Sequence, residues 1–149
     1  MPYGYRGLKI FTSLSLRFQD FQRWNKISVR VVGFGFDNNL TYGAKIHADV
    51  AVATPRCTPS ESALFGCVPD LELVAQSKDF LTDTCNGDSG GPAFIYDSKS
   101  DHFYLHAITS RGLPGQPCGH GGVYELTTSK SAISFLTNQA NIKIGRGPR

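Results

Sequence analysis

No run of about eighteen apolar residues occurs in this sequence, which excludes a membrane-spanning helix. There is no CxxC pair, and the four cysteines and four histidines nowhere take up zinc-ligand spacing, so neither a metal nor another cofactor is expected. Internal repeats and low-complexity tracts are missing, which excludes a solenoid or a disordered chain. Charged residues make up only 18% of the total. The basic ones neither interleave with aromatics nor sit in a nucleic-acid-binding motif, so no nucleic-acid partner is expected. The start, "MPYGYRGLKIFTSLSLRF", lacks the uninterrupted apolar segment and small-residue cleavage site of an export signal.

What is present suits one domain with a real core: 149 residues, 40% of them hydrophobic. Sixteen glycines and eight prolines favour short strands and turns over a helical bundle. The charge is uneven. Residues 1–30 carry six basic side chains against Asp20 alone, a net +5, while the remainder sums to −2. "ISVRVVGFGF" (27–36) reads as a strand running into a glycine turn, and "AKIHADVAVA" (44–53) as a half-buried strand. "PAFIY" (92–96) and "HFYLHAITS" (102–110) flank a hairpin turn, and "GGVYEL" (121–126) is a further strand. In "TTSKSAISFLTNQ" (127–139), Thr or Ser serves as N-cap, and Ala132, Ile133, Leu136 and Ala140 recur at helical spacing. The expected fold is all-β: a small antiparallel barrel closed by a C-terminal helix.

The cysteines, Cys57, Cys67, Cys85 and Cys118, read best as disulfides in an oxidising compartment. Either an export signal lies upstream, or they stay reduced. Around the third lies "DTCNGDSGGPAF" (83–94), a loop whose glycine density suits neither helix nor strand. A serine hydroxyl attacks a carbonyl only when a base takes its proton and donors meet the oxyanion it creates. Glycines on both sides of Ser89 let the amides of Gly87 and Ser89 converge on one point, with Asp88 turned inward to pin the loop. A plain glycine turn capped by Asp and Ser is the alternative reading.

The loop resembles the nucleophile segment of the trypsin/chymotrypsin family of serine proteases. "HAITSRG" is similar to the family's substrate-docking strand, "CGHGGVYEL" to its Cys…Pro-Gly-Val-Tyr segment, and "VVGFGF" to its Gly-Trp-Gly turn. "AKIHADVAVATPRC" is similar to its strand leading into a disulfide. The resemblance covers residues 27–140, as the second barrel of a two-barrel fold with its terminal helix. Residues 1–26 would be a first-barrel remnant or linker, and 141–149 a basic tail. It implies a Ser89 nucleophile, an oxyanion hole of the Gly87 and Ser89 amides, and bridges Cys57–Cys67 and Cys85–Cys118. It also implies a primary pocket with Asp83 at its floor, Ser110 beneath the catalytic center, and Gly112 and Gly122 in its wall. A buried carboxylate there selects Arg or Lys in a peptide or protein substrate; a loop-capping aspartate is the alternative. The location implied is secreted, periplasmic or otherwise extracellular.

The rest of the machinery departs from the family pattern. No Ala-His-Cys string exists, and none of His47, His102, His106 and His120 falls where the family keeps its general base. No acid stands where the orienting aspartate belongs, and Arg111 replaces the usual tryptophan. Asp88 is expected to lack its compensating N-terminal amine, which would let the loop collapse. The sequence therefore reads as a truncated trypsin-like endopeptidase, inactive alone and completed by a first barrel or another chain. A non-catalytic protease-like module binding basic peptides or a partner protein is the other reading. Asn39-Leu40-Thr41 forms a glycosylation sequon in an expected surface loop.

Overall fold

The computed structural model describes residues 27–37, 39–98 and 101–139. The readings of residues 1–26, Ala140 and the tail 141–149 lie outside them. Six antiparallel strands close into a barrel: β1 (Ser28–Gly33), β2 (Ile46–Thr54), β3 (Glu72–Ala75), β4 (Pro92–Asp97), β5 (His102–Gly112) and β6 (Gly122–Leu126). Their order around the barrel is β1-β2-β3-β6-β5-β4. The seam between β1 and β4 that closes it pairs Arg30 with Phe94 and Val31 with Ala93.

Alternation decides which side chains face inward. Val29 and Val31 of β1 and Val50 and Val52 of β2 meet Leu73, Ala75, Ala93, Ala107, Tyr124 and Leu126 in one core. Burying each aliphatic side chain contributes about 1.5–3 kcal/mol before entropy is counted. On the outer face, directly opposed Arg30 and Asp49 form a bidentate pair of 2.8 and 2.7 Å. Both are exposed, so the pair adds little. Bulges interrupt β2 between Val52 and Thr54 and β5 twice, at His106 opposite Ala93/Phe94 and between Thr109 and Arg111, bending the strands toward closure.

Two elements were not expected. The helix α1 (Pro59–Phe65) spans the loop between Cys57 and Cys67, with Thr58 and Glu61 in a reciprocal capping box and Gly66 left-handed at its end. It buries no residue completely, so no apolar period marks it. β3 follows, four residues all buried, too short and too evenly apolar to alternate. The expected C-terminal helix is present, and of the Thr and Ser caps offered by the sequence it uses a serine. Ser129 caps α2 (Lys130–Ser134), and a π-helical stretch, Phe135–Gln139, continues it. Bridges join Cys57 to Cys67 and Cys85 to Cys118, with sequence separations of 10 and 33. The longer loop alone constrains the unfolded chain by roughly 3–4 kcal/mol in the loop-entropy account.

The antiparallel register gathers one set of strand ends. Gly33 pairs with Ile46, Pro92 with Ile108, Gly112 with Gly122, and Ala75 with Gly122. The loop from Cys85 to Gly91 therefore emerges at the same end of the barrel as the 33–45 and 112–122 connections.

His106 faces the interior of β5 at 7% exposure. Burial, with a smaller push from Arg56, lowers its imidazole to about 4. Because the folded value is depressed below the unfolded one, the neutral ring's contribution is intact above about pH 6.5. It is lost as pH falls toward 4, by up to about 1.4 kcal/mol per pH unit. Urea midpoints taken from pH 7 to 4.5 should fall more steeply for the wild-type chain than for His106→Gln.

Candidate active site

The loop carrying Ser89 is held from both sides. On one side Gly90 donates to the Thr109 carbonyl at 2.9 Å and Thr109 donates to the Gly91 carbonyl at 2.8 Å, fastening the loop to β5. On the other side stands the 33–36 turn. The Gly35 amide donates to Asp88 Oδ1 at 2.7 Å, and the Cys85 amide to Asp88 Oδ2 at 2.8 Å. The Phe36 amide adds a bond of 3.1 Å to the Asn86 carbonyl. Asp88, expected to be uncompensated, is thus met by a charge-assisted donor at each oxygen.

These contacts explain the glycines of "GFG". A Cβ on Gly33 would lie 1.8 Å from Asp88 Oδ1, and one on Gly35 2.7 Å from both that oxygen and the Asn86 carbonyl. Gly87, at φ +99° with Tyr42 against it, needs the left-handed backbone that glycine adopts without strain. The amides of Gly87 and Ser89 donate to no described residue, and Ser89 itself is exposed.

Asp83 lies six residues upstream, half-buried. Tyr124 donates its hydroxyl to Asp83 Oδ1 at 2.8 Å, and Gly121 its amide to Oδ2 at 3.0 Å. Burial pushes the Asp83 carboxyl above its ordinary value, and these bonds offset only part of the push. Burial, reinforced by the charge of Asp83, drives the Tyr124 phenol far upward. That phenol therefore remains a neutral donor.

A cavity of about 360 Å³ joins these parts: Asp83, Ser89, Ser110, Gly112 and the Cys85–Cys118 bridge all line it. Gly112 has open space where a side chain would be, and a Cβ on Gly122 would come within 3.1 Å of Asp83 Oδ1. Asp83 and Asp88 also line a second cavity of about 360 Å³ behind the loop, with Gly33, Gly35, Asn39 and His47. The histidines are distributed elsewhere. His47 lies on β2, His102 and His106 on β5, and His120 faces the Phe80 ring at 5.4 Å. Ser89 accepts or donates no hydrogen bond among the described residues. No cluster that would hold a metal is found among them.

Three contributors went unrecognised in the sequence. Tyr124 sits one strand period from Gly122 and Leu126, so its inward placement was readable, but its bond to Asp83 was not. Arg111 and Glu72 form the second. Arg111 Nη1 donates to Glu72 Oε1 at 2.6 Å and Nη2 to Oε2 at 2.8 Å, with a further bond from Nη2 to the Gly66 carbonyl at 2.7 Å. Burial pushes Glu72 up, but Arg111 and the Val68 amide together hold it below the usual carboxylate range. The pair ties the cavity wall to the Cys57–Cys67 loop, where an aromatic side chain was the family expectation. The third is the Gly35 amide, Asp88's partner across the barrel end.

Two consequences are measurable. Gly33→Ala forces its new methyl onto the Asp88 carboxylate. It should lower stability by about 2 kcal/mol or more through lost charge-assisted bonds, read as a shifted denaturant midpoint. Arg111→Ala leaves the 4%-exposed Glu72 without its cation and should cost about 2 kcal/mol, less than a fully buried pair because Arg111 is half open to water. Arg111→Lys, which keeps the charge but loses the fork, should fall between.

A barrel of this topology, a serine flanked by unengaged amides, and a carboxylate sharing its cavity now stand together. The family description Trypsin matches residues 18–134, a span that takes in all six strands, both bridges and every residue placed above at the cavity. The chain belongs to the trypsin family of serine proteases.

Proposed function

We propose that this chain supplies the nucleophile and the specificity pocket of a secreted, periplasmic or otherwise extracellular endopeptidase that cleaves after Arg or Lys. The observation that carries the reading is the shared cavity: Asp83 and Ser89 line the same space. A guanidinium or ammonium tip that reaches Asp83 recovers the free energy lost in burying that carboxylate. The peptide carbonyl that follows then lies at the mouth, beside Ser89. Ser89 Oγ attacks that carbonyl, and the oxyanion is received by the amides of Gly87 and Ser89. Collapse of the tetrahedral adduct expels the amine half of the substrate and leaves an acyl-serine, which water hydrolyses. Gly87 meets this role with its backbone, and Asp88 keeps the two amides facing the same point.

The proton on Ser89 needs an acceptor. No described histidine is hydrogen-bonded to Ser89, so in this reading the general base and its orienting acid come from outside residues 27–139, from a first barrel or another chain. That same observation favours a second reading, a non-catalytic protease-like module that holds basic peptides or a basic partner in the Asp83 pocket.

Benzamidine tests the pocket directly. It should bind the chain, and Asp83→Asn should weaken binding at least tenfold, the loss of about 1.4 kcal/mol or more expected for one charge-assisted contact. Because the Asp83 carboxyl is raised above its ordinary value, binding should be full when the group is ionised and weaken as pH falls through that raised value. Decline should therefore begin at a higher pH than for an ordinary aspartate. No binding, or binding indifferent to Asp83→Asn, would exclude the pocket. A fluorophosphonate probe then separates the two readings. Labelling of wild type and not of Ser89→Ala marks a competent nucleophile, while benzamidine binding without labelling marks the binding module.

A further inference from the structure

The connection between β1 and β2 carries a feature that neither the pocket nor the nucleophile loop uses. Asn39-Leu40-Thr41 is the single Asn-x-Ser/Thr tripeptide in the sequence, and its middle residue is not proline. All three residues are exposed.

The turn that presents them is organised by Asp37 and not by Asn39. Asp37 Oδ1 accepts from the amides of Asn39 and Thr41 at 2.9 and 2.7 Å. The Asp37 amide donates to the Thr41 carbonyl at 3.0 Å, and Leu40 donates back to the Asp37 carbonyl at 3.0 Å. Leu40 at φ +59° throws its side chain to 81% exposure at the tip. Only the backbone of Asn39 and Thr41 takes part in these bonds, so a substituent on the Asn39 side chain leaves the turn intact. Beside it lie Phe36 and Tyr42, both exposed, with ring centroids 5.3 Å apart. An exposed leucine and two exposed aromatics at one loop are a surface that water covers poorly. A sugar, with one face of C–H groups and one of hydroxyls, is suited to lie over such rings. The two disulfides point to the same oxidising export route in which this modification is made.

We propose that Asn39 is a site of N-linked glycosylation. In that reaction the Asn39 amide nitrogen attacks the anomeric carbon of a lipid-linked oligosaccharide diphosphate. A C–N bond forms, the C–O bond to the diphosphate breaks, one proton leaves the nitrogen, and the lipid diphosphate departs. The attached glycan stands at the rim of the cavity behind the nucleophile loop, which Asn39 lines together with Phe36 and Asp88. Ser89 lines a different cavity, while Asp83 borders both. The inference rests on the turn and the sequon, and it holds whether or not the protease reading does.

The full chain, passed through a eukaryotic secretory pathway behind an export signal, provides the test. Most chains should carry a mass increment that peptide N-glycosidase removes, converting the Asn39 amide to a carboxylate. Asn39→Gln and Thr41→Ala should abolish the increment, and Thr41→Ser should keep it. Translation of the same chain into microsomes reads the same gel shift where secretion is poor. Unmodified Asn39 in imported wild-type chains, or an increment that survives Asn39→Gln, overturns the proposal.

Discussion

The Asp88 carboxylate, fixed between the Gly35 and Cys85 amides, is the constraint on which the rest of this barrel end depends. It sits between Gly87 and Ser89 in the chain, so its direction sets theirs. With both Asp88 oxygens engaged, the amides of Gly87 and Ser89 donate to no described residue. The same carboxylate occupies the volume that side chains at 33 and 35 would need, which couples the β1 end to a loop 53 residues away in sequence and adjacent in structure. Two backbone donors meet the charge where a cation was the expectation. They share the work of solvating it without adding a second buried ion.

Asp83 presents the opposite balance. Its carboxyl is raised by burial, and the hydrogen bonds from Tyr124 and Gly121 do not cancel that cost. Folding alone would be served better by a neutral group here. This partly compensated carboxyl shares its cavity with Ser89. The Glu72–Arg111 pair shows the contrast within the same wall: a buried carboxylate fully met by a fork, fixed in place and structural.

Much of this was legible in the residues, for physical reasons that differ by element. The alternation in "VRVV" and in "DVAVA" marks strands because one face is more buried than the other, and β1 and β2 follow it, whereas "YLHA" in β5 is buried on four successive residues. "ELVA" is buried on all four residues and so carries no alternation, and α1 buries no residue completely and so carries no apolar stripe. Its signal was instead the Thr58-x-x-Glu61 box followed by Gly66, which is chemistry of caps and not of period. Of the Thr and Ser caps that the sequence offers for the terminal helix, Thr127 caps nothing. Its hydroxyl instead donates to the His106 carbonyl at 2.9 Å, and Ser129 takes the cap. At the site, the glycine-rich loop exposed Ser89, Gly87, Asp88 and Asp83 through composition and resemblance. Their long-range partners, Gly35, Tyr124 and the Glu72–Arg111 link, are set by barrel closure and leave no local mark.

Two backbone amides, of Gly35 and Cys85, fix the Asp88 carboxylate and with it the loop. Nuclear magnetic resonance of the Gly35 and Cys85 amide protons tests it most directly. Both should resonate well downfield, exchange slowly with solvent, and move upfield together in Asp88→Asn, with the Gly87 and Ser89 amides shifting in response. Gly35 and Cys85 amides that exchange as fast as those of an exposed loop and ignore Asp88→Asn would contradict the account.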